Sequence, residues 1–382
     1  MEAVLEKETK APIIKAQVSL AHLQKALKLV ERAIPGASCA IPILRSIKLE
    51  QSSDGLAVQA TDMEASIRAL IPETTQLSAP LILSSERFIP WVQLLDGDRV
   101  SLTANAARVT VQCGQPKVFV PRLNANDFPQ ASFTSTGDGF GIMQSDLLRM
   151  LKHTIIAIGD EERFTLNGVL LEANGTTLYA VAMDGHRMAV YSRPIDKTFR
   201  YLIPERMLRL LLPVIVEGKE SVRIQEDELG FLASVAADIP VFINCRKPNG
   251  TFPNWQAVMP VAQDATLTVD SMALLTSLTR CLLMGDQKTH GVAIEFTSGS
   301  INLRAVDALA GEAEESVEAE GGPSKPMTVG VNGTYLSQAL KQIGGSVKVQ
   351  LPTEVGRPII FRSEPVPGEI FNYIVMPMRL NR

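Results

Sequence analysis

Residues 165–195 read "TLNGVLLEANGTTLYAVAMDGHRMAVYSRPI". An apolar run leads into a Gly-containing turn, an alternating run follows and ends in Ala182-Met183-Asp184, and a third run starts after the turn. Alternation of this kind marks strands joined by tight turns. The same order recurs in "ILRSIKLEQSSDGLAVQATDMEASIRALIP" (43–72) and in "THGVAIEFTSGSINLRAVDALAGEAEESVE" (289–318). Asp62, Asp184 and Asp307 are 122 and 123 residues apart (184 − 62 and 307 − 184). A second marker agrees: Phe128-Pro129, Phe252-Pro253 and Met376-Pro377 recur at 124 residues (252 − 128 and 376 − 252). Two landmarks with one period predict a threefold repeat, and a repeat decides the fold before any motif does.

The rest of each unit follows. Helical patterns precede the strands at 19–35, 144–160 and 270–286. In the first, Leu20, Leu23, Leu27, Val30 and Ile34 form one apolar stripe, and Ser19, Ser145 and Asp270 or Ser271 are expected N-caps. Second helices are expected at 84–95, 204–215 and 332–343, the middle one ending early or kinking at Pro213. Alternating strands close each unit, and polar breaks fall near 130–139 and 260–266. Each helix has one apolar face to set on a sheet, so the class is α+β in layers.

Composition bounds the function. The chain has 382 residues, too many for one typical core, with 46% hydrophobic and 20% charged residues. No apolar run approaches the roughly 20 residues that span a bilayer. The opening "MEAVLEKETKAPIIK" lacks the apolar core of a signal peptide. Cys39, Cys113, Cys245 and Cys281 are scattered, which argues against structural zinc and for a reducing compartment, so a cytoplasmic location is expected.

The formal net charge of −4 is unusual for a protein that grips nucleic acid. Yet basic residues collect opposite the apolar stripes: Lys25, Lys28 and Arg32 in the first unit, Arg149, Lys152, Arg206 and Arg209 in the second, Arg280 and Lys341 in the third. Solvated helix faces account for any one of them. Their recurrence in every unit favours one basic surface, with acid held elsewhere, as in "DALAGEAEESVEAEG" (307–321).

Asp184, His186 and Arg187 lie within four positions and could be catalytic equipment. No nucleophile elbow, metal-ligand partner or phosphate-binding loop accompanies them, and the four histidines (His22, His153, His186, His290) fall in no triad order.

The threefold repeat, "DGHR" (184–187), "NGTFPNWQAVMP" (249–260) and "YIVMPMRL" (373–380) together resemble the bacterial DNA polymerase III β subunit, the sliding clamp, over about residues 14–380. The resemblance implies three tandem repeats of the DNA-clamp fold: clamp domains at 13–130, 138–259 and 264–382, after an extension at 1–12. Each would pack two helices on antiparallel sheets, and a head-to-tail homodimer would close a six-domain ring around duplex DNA. A ring holds DNA by topology, so weak, sequence-independent contacts from the basic helices suffice.

By the same resemblance, "DGHR" is one wall of a hydrophobic groove that binds short linear peptides, not a catalytic site, and no cofactor or metal is implied. Carried over by position, the groove contains Leu166, Met183, Gly185, His186, Arg187, Met188, Pro253 and Val258. The third repeat adds Asn332, Tyr335, Ile374, Met376, Pro377, Met378 and Arg379. Methionines adapt to several ligands, and Arg187 and Arg379 are expected to hold backbone or carboxylate oxygens. Core packing is the competing account of the Met-rich C-terminus. Leu283 and Met284 match apolar dimer-interface positions, with core burial as the alternative.

Implied partners are the polymerase III catalytic subunit, other polymerases and repair proteins with a clamp-binding peptide, and an ATP-dependent clamp loader. No membrane partner is implied. The chain departs from the family pattern at Ala257, where a basic residue is frequent, at Arg357, in the turn 35–44, and in Asn381-Arg382 past the usual terminal leucine. Of these departures, only Ala257 and Arg357 hint at a specialised second clamp that tolerates a groove-directed inhibitor, a third reading beside the processivity clamp and the enzyme.

Overall fold

The structure is a computed structural model and describes residues 14–73, 77–160, 165–260, 263–354, 356–364 and 366–380. The expected extension at 1–12 and the Asn381-Arg382 pair lie outside the described residues. Two compact units emerge, residues 1–146 with 206–247 and residues 147–205 with 248–382.

The first helix forms where the stripe predicts it, at Leu20–Val30, with Ser19 as N-cap accepting the His22 N–H. Leu20, Leu23, Ala26, Leu27 and Val30 are buried, while Ile34 lies beyond the helix and is half-buried. Burial of each such leucine contributes about 1.5–3 kcal/mol. Asp270 caps Ser271–Met284 by accepting the Ala273 N–H. Ser145 is not a cap, because the helix Gln144–Thr154 starts one residue earlier. The Gln144 side chain instead bonds the Ala236 carbonyl and the Val216 N–H. The helix Glu205–Leu211 stops two residues before Pro213, as the missing N–H and ring clash of proline require. Pro90 nevertheless sits inside Ser85–Gln93.

In the first unit, an eight-stranded antiparallel sheet runs Leu81–Ser84, Ser46–Ser52, Gly55–Thr61, Ala65–Ile71, Val241–Arg246, Gly230–Val235, Ser221–Glu226, Gly139–Met143. A four-stranded sheet runs Ile14–Ser19, Arg99–Ala104, Arg108–Gln112, Lys117–Pro121. The second unit repeats the plan. Its nine-stranded sheet runs Thr198–Pro204, Gly168–Asn174, Thr177–Met183, Arg187–Pro194, Ile370–Val375, Ile359–Ser363, Ser346–Pro352, Gln263–Asp270, Glu320–Gly321. Its four-stranded sheet runs Gly311–Glu318, Ser300–Asp307, Gly291–Phe296, Met327–Asn332.

Both large sheets are joined in the same way. The strand after the Asp62 turn, Ala65–Ile71, pairs with Val241–Arg246, the closing strand of the next repeat. The strand after the Asp184 turn, Arg187–Pro194, pairs with Ile370–Val375, the closing strand of the one after that. The third equivalent strand, Gly311–Glu318, ends its sheet, and so does Lys117–Pro121, the closing strand of the first repeat.

Candidate functional site

The repeated aspartates are turn-formers. Asp184 Oδ1 accepts the N–H groups of His186 (2.8 Å) and Arg187 (3.0 Å). Asp62 Oδ1 does the same for Glu64 (3.0 Å) and Ala65 (2.7 Å), and Asp307 Oδ1 for Leu309 and Ala310 (both 2.8 Å). A short carboxylate closing its own turn is why aspartate recurs at this position. Gly185 has φ 91, a left-handed value that glycine reaches without steric cost.

Below this turn, Leu166, Met183, Met188 and Ile374 join one apolar cluster with Leu170, Val181, Val190, Phe252, Trp255 and Ile360. Strand register makes the cluster: Met183 lies opposite Met188, and Met188 opposite Ile374. Met188 and Ile374 are each 1% exposed, so both are packed inside this cluster. His186, Pro253, Val258 and Arg379 are exposed, while Met376, Pro377 and Met378 are half-buried. The tail is fixed by its backbone. Met376 donates its N–H to the His186 carbonyl and Met378 to Gly330, each at 2.8 Å. Beside the tail lies a cavity of about 520 Å³ whose walls include Asp286, Thr289, Arg304, Met378, Arg379 and Leu380.

Arg187 is engaged inside the wall. Its Nε bonds Asp184 Oδ2 (2.9 Å), its Nη1 bonds Gln338 Oε1 and Tyr373 Oη, and its guanidinium stacks 4.0 Å from the Tyr335 ring centroid. Burial pulls its pKa down, but Tyr373 and Asp184 outweigh burial and leave it raised. Arg187, expected to hold peptide oxygens, is thus already engaged by four neighbours. Asn332 is also committed, as N-cap of Gly333–Ile343 through the Thr334 and Tyr335 N–H groups.

Gln338 and Tyr373 escaped sequence reasoning, as did a brace under the Phe252-Pro253 segment. There Glu172 accepts from Trp255 Nε1 (2.8 Å) and pairs with Arg200 (3.3 Å), which donates to the Phe252 carbonyl (3.0 Å). None of these contacts is local in sequence, so no spacing signals them.

Among the basic candidates, Lys25, Lys28, Arg32, Arg149, Lys152, Arg209, Arg280 and Lys341 are exposed and Arg206 is half-buried. Several are paired with carboxylates: Lys25 with Asp238 (3.2 Å), Arg149 with Glu369 (2.6 Å), Arg206 with Asp62 (2.6 Å) and Arg280 with Glu315 (2.6 Å).

At the end of the helix Ser271–Met284, Leu283 is 73% exposed, so core burial does not account for it; Met284 is half-buried. Gly311–Glu318 carries Glu312, Glu314, Glu315 and Glu318, and Lys117–Pro121 carries Phe119, 51% exposed beneath Arg108 and Lys117.

Among the described residues, no group of three His, Cys, Asp or Glu could hold a metal, the four cysteines are unbridged, and no helix is long and apolar enough to cross a membrane.

Three family models match in series: the DNA polymerase III beta subunit N-terminal domain over 14–132, its central domain over 141–254 and its C-terminal domain over 256–379. The beta sliding clamp of Caulobacter vibrioides is 28% identical over 386 residues, covering 96% of this chain and all of that one. That of Proteus mirabilis is 26% identical over 353 residues, covering 90% and 94%. The Pseudomonas aeruginosa sliding clamp, solved with ligand, aligns at TM-score 0.87 with 24% identity over 96% of this chain and 100% of its own. The C. crescentus clamp aligns at TM-score 0.86 with 25% identity over 96% and 99%. Repeat, sheet plan and these matches agree: the chain belongs to the DNA polymerase III beta subunit family, the bacterial sliding clamps.

Proposed function

We propose that the chain tethers DNA polymerase III to duplex DNA as a non-catalytic processivity clamp, through the groove around Met183, Met188 and Ile374. The observation that carries this reading is the buried apolar cluster, with exposed His186, Pro253 and Val258 next in the chain to Arg187, Phe252 and Met259, which border or join it. Half-buried Met376, Pro377 and Met378, backed by that cluster, accept apolar side chains of a linear peptide, while exposed backbone groups nearby meet its amides. Specificity for oxygen atoms falls to Arg379, since Arg187 is held by its neighbours.

Three clamp domains, at 13–130, 138–259 and 264–382, follow from the repeat. The dimer follows from the twice-used junction. Acidic Gly311–Glu318 and Lys117–Pro121, whose Phe119 lies under Lys117 and Arg108, are the two equivalents left at sheet ends, and pairing them between copies, head to tail, closes a ring. Leu283, Met284 and Phe119 supply the apolar part of that contact, and Lys28, Lys152 and Lys341 belong to the helix faces that meet phosphate. Repair factors with the same peptide, an ATP-driven loader and a cytoplasmic setting complete the reading.

The test is a titration of a labelled Gln-Leu-x-Leu-Phe peptide, followed by fluorescence polarisation, against intact protein and a form truncated before Met376. Saturable binding lost on truncation supports the groove. Absence of binding by the intact, folded protein overturns it.

A further inference from the structure

Of the pairs made by the basic helix faces, Arg149–Glu369 has the most buried carboxylate. Arg149 Nη1 lies 2.6 Å from Glu369 Oε2, and the same oxygen accepts the Tyr191 hydroxyl at 2.6 Å. The Glu369 side chain is 10% exposed, whereas that of Arg149 is 44% exposed. His153 packs its ring 5.0 Å from Tyr191 and 4.8 Å from Phe371, and its Nδ1–H donates to the Arg149 carbonyl at 2.7 Å. The carboxylate is therefore fixed from below, while the guanidinium it holds still reaches solvent.

A carboxylate and a phosphate offer arginine the same paired-oxygen geometry. We propose that Glu369 is an internal phosphate surrogate that sets how strongly Arg149 contacts duplex DNA. Resting on the reading of the helix faces as DNA-facing, the assignment makes Glu369 an affinity-determining residue. Each Arg149–phosphate contact must compete with an ion pair already made, whose carboxylate offsets the charge of the guanidinium, so the net gain is small. A clamp that slides needs contacts of this kind, since a free arginine would add one full counterion-releasing contact and slow movement.

The test is a thermodynamic cycle with the full chain and a short fluorescein-labelled duplex, titrated by anisotropy at several KCl concentrations. Four proteins enter it: wild type, Glu369→Gln, Arg149→Met and the double variant, each checked by thermal melting for folding. Glu369→Gln is expected to tighten duplex binding about three- to tenfold, the size of one charged contact, and to steepen the salt slope by about 0.9. Neither change is expected in the Arg149→Met background. An equal gain in both backgrounds would overturn the proposal, because the effect would then be one of net charge alone. So would no gain in either.

Lys28→Glu and Lys152→Glu run in parallel as controls on the underlying reading. If they weaken duplex binding while Glu369→Gln changes nothing, the surrogate is wrong and the basic face stands. If neither weakens it, the DNA-facing assignment fails and the proposal falls with it.

Discussion

Asp184 and Arg187 meet twice: Asp184 Oδ1 accepts the Arg187 backbone N–H at 3.0 Å, and Oδ2 accepts its Nε at 2.9 Å. One carboxylate thus closes the turn and orients the guanidinium that stacks on Tyr335. Asp184→Ala should cost about 2–4 kcal/mol in urea denaturation, since it strands two N–H groups and a largely buried cation. Asp184→Asn keeps Oδ1 and should recover the turn but not the ion pair. A loss below about 0.5 kcal/mol for the alanine variant would remove the turn from the account of the repeat.

Floor and rim of the groove should separate in experiment. Met188→Ala, at a 1% exposed position, should destabilise by about 2–5 kcal/mol. Val258→Asp, at a 37% exposed position, should leave the melting temperature unchanged and weaken peptide binding tenfold or more, by about 1.4 kcal/mol. Intact peptide affinity in the Val258 variant would move the groove elsewhere.

Charge reversal on the helix faces should read out in salt. Lys28→Glu and Lys152→Glu together should lower the slope of log K against log salt by about 2, with peptide affinity untouched. An unchanged slope counts against phosphate contact at these lysines.

Leu283→Asp and Phe119→Asp, both at exposed positions, should convert the dimer to monomer in analytical ultracentrifugation without altering the melt of either unit. A dimer that survives both substitutions would place its interface away from the end of the helix Ser271–Met284 and the strand Lys117–Pro121.

Acid should weaken the first unit through Glu73. Burial raises its pKa, but hydrogen bonds from His22 and the Ser19 N–H, together with Arg99, leave it below the ordinary value of 4.5. A carboxylate lowered in the folded state contributes stability above its unfolded pKa and loses it as pH falls through the folded one. Glu73→Gln should therefore flatten the acid limb of a stability–pH curve below about pH 5 and reduce stability at pH 7. A variant whose acid limb matches wild type would assign that limb to other carboxylates.

Much of this fold was legible in one dimension. The Asp62, Asp184 and Asp307 period, the stripe on Leu20–Val30 and the stop before Pro213 are local consequences of turn chemistry, helical spacing and a missing N–H. Ser145 misled because sequence marks a capping residue type, whereas the start of the helix was set by Gln144 reaching Ala236 and Val216.

The site divides along the same line. The resemblance to the clamp family grouped Met183, Met188, Ile374 and His186, and the structure brings the first three into one apolar cluster. Residue types could not say that Arg187 is held by Gln338, 151 positions away, or that Arg149 is held by Glu369, 220 positions away. Sequence by itself determined the repeat, the elements and the turn-forming aspartates, since those depend on neighbours within a few residues. Only the tertiary structure decided which cations are already satisfied, because partner choice among charged side chains depends on distance in space.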